Sequence, residues 1–179
     1  MSFSQVLICF YRRLLFWCAL SLILFLTGCA GTATTMMDEE VVTNQKPMAT
    51  YKSLIIDDFE LKKELYTDAS DLRMNERERR YSQIPKVLAE NIERYVKAHN
   101  IYQSVSRNTQ KTTSALVLKG RFTRVGRFRI SVVAILYDGD NGHEVAYLRQ
   151  TLWDVIDTTE GVSLLGRDIA DFIDRIQYK

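Results

Sequence analysis

An apolar run, Leu14 to Leu26, interrupted by Ser21 alone, with Arg12 and Arg13 before it and Thr27-Gly28-Cys29 after it, constrains this chain more than any other stretch. A helix that spans a bilayer takes about 20 apolar residues. This run is shorter, and Ala30-Gly31-Thr32-Ala33-Thr34-Thr35 beyond it is small and polar rather than a stop-transfer pattern. The layout is that of a cleavable export signal, so fold reasoning starts at Cys29. Removing residues 1–28 from the 179 leaves 151, the size of one ordinary domain with a linker. Cys9 and Cys18 leave with the signal, and Cys29 becomes the new terminus. The domain beyond it contains no cysteine, which excludes disulfides and thiolate catalysis. Packing alone must hold it together in an oxidising compartment.

The signal also carries two of the 24 lysines and arginines and none of the 22 acids. The remaining chain is formally neutral, which gives no electrostatic reason to expect nucleic acid as a partner.

Leu26-Thr27-Gly28-Cys29 resembles the lipobox of bacterial lipoproteins. The resemblance implies a diacylglycerol thioether on Cys29, cleavage just before it, and acylation of the new amine by a palmitate-like chain. A thiol suits this alkylation because it is nucleophilic near neutral pH. One acyl chain holds a membrane only marginally, whereas two or three make a durable anchor. In the same family an Asp after the cysteine retains the protein in the inner membrane. Ala30 therefore implies the outer membrane, with the domain facing the periplasm.

Residues 29–50 are rich in Thr, Ala, Met and acids and lack a sustained apolar period, so they read as a flexible tether with a reach of about 25 Å. Residues 51–179 read as a single domain. Tyr51 to Phe59 is a β-branched run suited to a central strand, and Lys62 to Arg80 reads as a loop or irregular helix. Ile84, Val87, Leu88, Ile92, Tyr95 and Val96 share one helical face, with Ser82 as N-cap, Pro85 in the first turn and Asn100 at the end. Strands are expected over 102–106, 115–124, 127–137 and 144–155. Val145, Tyr147, Trp153 and Val155 are placed on one side of the last strand. A closing helix carries Leu164, Leu165, Ile169, Phe172, Ile173 and Ile176, with a Thr as its cap. The order β-α-β-β-β-β-α predicts an α+β fold, a mixed or antiparallel sheet with two helices packed on one face. The Leu-Ile-Ile-Asp-Asp-Phe opening and the Gly-Arg-Phe strand before the meander resemble small envelope lipoproteins. More distantly they are similar to the periplasmic core of CsgG and the amino-terminal domain of TolB.

Little in the chain suggests chemistry. Asp138 to Glu144 concentrates oxygens, but the spacing fails an EF-hand, and Asn141-Gly142 is a hairpin signal. Asp57, Asp58 and Glu60 cluster at a strand end without a partner His, and His99 and His143 are too few for zinc. No cofactor or metal is expected, and no enzyme activity. Arg121, Arg124, Arg127 and Arg129 flank Gly126 and could converge at a sheet edge. There they would contact carboxylates or phosphates, or simply protect the edge. The expected function is that of a lipid-anchored structural or accessory factor in the cell envelope, working through an envelope protein partner. The alternative is a module that binds or transports a lipid or small apolar ligand. The oligomeric state is not legible.

Overall fold

The computed structural model describes residues 34–43, 46–66, 76–109, 114–126 and 128–178. Six strands form one sheet: β1 (Thr34–Val42), β2 (Ser53–Ile56), β3 (Ser104–Arg107), β4 (Ala115–Val125), β5 (Arg129–Asp138) and β6 (Glu144–Trp153). Their spatial order is β1-β6-β5-β4-β2-β3. β2 runs parallel to both β3 and β4, and the remaining pairs are antiparallel, so the sheet is mixed. The expected α+β class therefore holds. Parallel neighbours need a long crossover. Helices α1 (Glu76–Ser82) and α2 (Ile84–His99) supply it between β2 and β3, and α3 (Thr158–Ile176) closes the chain.

Both helical segments lie on one sheet face because each has one apolar stripe. Leu88, Ile92 and Val96 of α2 and Leu165, Ile169 and Ile173 of α3 are fully buried, in one cluster with Leu54, Ile56, Leu116, Leu118, Ile130 and Leu136 from the sheet. Burying an aliphatic side chain is worth about 1.5–3 kcal/mol, so this layer dominates the stability. Gly120 of β4 opens the layer to Phe59. A Cβ there would stand 2.1 Å from the Phe59 ring and 2.6 Å from the Val133 carbonyl oxygen. Gly166 lets α3 approach α2, since a Cβ there would stand 2.7 Å from that of Asn91.

Several expectations change. The tether ends early, because residues 34–42 form an edge strand paired with β6 from Thr34↔Trp153 to Val42↔Ala146. Its four apolar residues, Met36, Met37, Val41 and Val42, do not alternate, so the backbone ladder to β6 rather than a periodic apolar face marks it as a strand. Part of the stretch from Lys62 to Arg80 is ordered as a 3₁₀ turn (Lys63–Leu65) and as α1. Gln83, not Ser82, precedes α2. Ser82 ends α1 and its hydroxyl donates to the Arg79 carbonyl. Asn100 does close α2, at φ 55°. The cap of α3 is Asp157, whose carboxylate accepts the Thr159 N–H at 2.8 Å, rather than a Thr. Along β6, the core side is Ala146, Leu148, Gln150 and Leu152. Val145 is taken up in a bulge opposite Leu136 and Tyr137, which breaks the alternation that would have put it with Tyr147 and Trp153. In the Asp138 to His143 hairpin, Gly142 adopts a positive φ of 74° and Asn141 does not; the Asn141 side chain instead accepts the His143 N–H.

Candidate functional site

Of the four arginines singled out, Arg121, Arg124 and Arg129 are placed, and Arg127 lies outside the described residues, as does Cys29. β4 and β5 are interior strands, so these arginines do not line an outer edge of the sheet as expected. They share the face away from the helices. Arg121 pairs with Val133, Arg124 with Ser131, and Arg129 lies two residues beyond Ser131. A bulge at Thr123 makes this possible. Simple alternation would put Arg121 and Arg124 on opposite faces, and the extra residue turns Arg124 outward while Val125 returns to the core.

The arginines nevertheless do different things. Arg121 borders a shallow cleft of about 300 Å³ with Asp57, Asp58, Glu60 and Lys119, and its backbone bridges Glu60. Two of the acids are engaged in ion pairs. Asp57 meets Lys119 at 3.5 Å and Asp58 meets Arg107 at 3.2 Å, and Arg107 also reaches Glu90. Arg129 donates to Ser131 Oγ at 3.2 Å and lies 4.4 Å from the centre of the Trp153 ring. Arg124 is exposed.

The surroundings of Arg129 were not foreseeable from local pattern. Trp153 is 40 % exposed, Phe128 70 % and Ile156 83 %. They lie at one end of the sheet, where the Asp154 N–H donates to the Phe128 carbonyl across 2.8 Å. A cleft of about 590 Å³ adjoins Ile156, walled by Arg77, Arg80 and Tyr81 of α1 and by Thr158 and Thr159 of α3. Arg77 lies over the Tyr81 ring. The signal for this end was present only as isolated aromatic and aliphatic residues next to turns. Which of them share an end depends on strand register.

At the opposite end, Asp138 is buried and accepts from Lys46 Nζ at 2.8 Å, Tyr51 Oη at 3.0 Å and the Asp140 N–H at 2.9 Å. This cluster ties the chain after β1 to the β5–β6 hairpin. His99 sits 3.6 Å from both Asp171 and Asp174, between α2 and α3. Among the described residues, no three His, Cys, Asp or Glu side chains are grouped to hold a metal ion, and no helix is long and apolar enough to cross a membrane.

No family model matches the chain, and no curated protein matches it. Among solved structures it is similar to a variant of the PelC dodecamer from Paraburkholderia phytofirmans, at 14 % identity over 79 % of this chain and 97 % of that one, with a TM-score of 0.52. It is similar also to a DUF330 protein from Xanthomonas campestris, at 11 % identity over 75 % and 92 %, TM-score 0.50. A lipoprotein from Neisseria meningitidis matches at 15 % identity over 70 % and 96 %, TM-score 0.30. The first two establish that this fold of mixed sheet and one-sided helices occurs in other proteins.

Proposed function

We propose that this chain is a lipid-anchored periplasmic lipoprotein of the outer membrane, acylated at Cys29, and a structural or accessory factor of the envelope that works through protein contacts rather than catalysis. The observation that carries this reading is Leu26-Thr27-Gly28-Cys29 at the end of a short apolar run, five residues before the first strand. The engagement of Asp57 and Asp58 in ion pairs supports a role without acid–base chemistry. Binding of an apolar ligand between helices and sheet finds less support, because Leu88, Ile92, Leu165 and Ile169 fill that layer. Mass spectrometry of the protein from envelopes should find diacylglycerol on Cys29, and Cys29→Ser should accumulate as unprocessed precursor. An unmodified Cys29 in the mature wild-type protein would sink the anchor.

Copies of the same chain are the first partner to test. The Paraburkholderia protein of similar fold is described as a dodecamer. Sedimentation of the detergent-solubilised protein should give a particle several times the mass of one processed chain. A monomer at all concentrations would direct the search to other envelope proteins.

A further inference from the structure

We propose that the end of the domain bearing Phe128, Trp153 and Ile156 rests in the headgroup layer of a phospholipid bilayer. The inference builds on acylation of Cys29 and goes beyond it, since an anchor alone leaves the orientation of the domain open.

Three observations converge. First, among the described residues five large hydrophobic side chains remain exposed, and three of them, Phe128, Trp153 and Ile156, stand at this end. Exposed apolar groups are ordinary when scattered and informative when gathered. Second, the polar groups around them suit an interface. The Trp153 ring carries the Arg129 guanidinium on its face, Arg124 is exposed on the same sheet face, and Arg77 and Arg80 wall the cleft beside Ile156. Indole rings favour the boundary between headgroups and acyl chains, and guanidinium groups pair with phosphates. Asp154 and Asp157 also stand here, the latter as the α3 cap, so the end is mixed in charge rather than a cationic patch. It therefore suits lipids that carry an ammonium as well as a phosphate.

The third observation fixes the occupant. Thr34, the first residue of β1, pairs with Trp153. Five residue steps separate Cys29 from Thr34, a reach of at most about 18 Å when fully extended. β1 then leads away from this end, with Val42 opposite Ala146. An acyl anchor at Cys29 thus delivers the Trp153 end, and not the Asp138 end, to the membrane. The opposite polarity would need the tether to run the length of the sheet.

The test uses the protein expressed from its full sequence with Trp17→Phe, so that Trp153 is the sole tryptophan whether or not residues 1–28 are removed, reconstituted into vesicles of phosphatidylethanolamine and phosphatidylglycerol. Brominated acyl chains should quench Trp153 at least about twofold relative to unbrominated ones, as for an indole at the acyl boundary. Phe128→Ser with Ile156→Ser, both at exposed positions, should relieve most of that quenching. The mass of the Cys29 peptide is read from the same preparation. Diacylated Cys29 with an unquenched Trp153 overturns the docking and leaves the anchor standing. Unmodified Cys29 with quenched Trp153 overturns the anchor and keeps the docking. A Trp153 shielded from acrylamide yet untouched by bromine means that a protein surface covers it, and overturns the proposal.

Discussion

Asp138 shows how one residue closes a domain that has no disulfide. Burial works to raise the pKa of its carboxyl. The hydrogen bonds from Lys46, the Asp140 N–H and Tyr51, with the Lys46 charge, more than offset this and hold it below the ordinary carboxylate value. The folded pKa is the lower one, so the contribution is fully present above the unfolded value, near 4, and is lost as pH falls through the folded value. Tyr51 behaves in the opposite sense. Burial first, then its bond to Asp138, pushes its hydroxyl up to about 12. Its contribution holds below the unfolded value, near 10, and fades as pH rises toward the folded one. Asp138→Asn should therefore cost about 1.5–3 kcal/mol near neutrality, the range for hydrogen bonds to charged groups, and flatten the acid limb of stability. Thermal melts of both proteins across the acid range check this. An unchanged acid slope in the variant would assign that limb to other carboxylates.

At the scale of elements, the bulge in β4 and the edge strand β1 decide most of what the surface presents. The bulge brings Arg124 onto the face of Arg121, and the antiparallel pairing of β1 starts that strand beside Trp153. β1 is also fastened through Glu40, whose carboxylate accepts from Arg175 of α3 at 2.9 Å. If residues 34–42 are a strand and not a tether, those of their amides bonded to β6 should exchange hydrogen much more slowly than solvent-exposed ones. An edge strand opens locally without global unfolding, so protection of about 10²-fold or more is expected, below that of β5. Uniformly fast exchange over 34–42 would restore the flexible tether. The helices show a similar opposition of terms. Gly166 forgoes about 1 kcal/mol of helix propensity relative to alanine, and close approach to Asn91 compensates by letting two apolar stripes reach the sheet together.

For the whole molecule, a domain without cysteine places most of its stability in one filled layer between sheet and helices. The two ends then differ. One is closed by the Asp138 cluster, and the other leaves Phe128, Trp153 and Ile156 to solvent beside arginines. If Cys29 carries the proposed anchor, a domain polarised in this way would be held by few residues at its exposed end and would have little freedom to turn that end from the membrane.

The absence of cysteine from the domain, the helical stripes of α2 and α3 and the strand over 127–137 were legible in the sequence. Each is a local pattern in a single stretch of chain. The edge strand β1 was not, because its order comes from the backbone of β6 rather than from its own apolar residues. Nor were the displaced parities of Val145 and Arg124, since a bulge is an extra residue defined only against the partner strand. Asp157 in place of a Thr cap differs by one position, within the ambiguity of adjacent residues that can all accept an N–H. The gathering of Phe128, Trp153 and Ile156 beside the start of β1 was decided by tertiary structure alone. Strand register joins residues more than a hundred positions apart, and no periodicity within either segment records which end of the sheet they share.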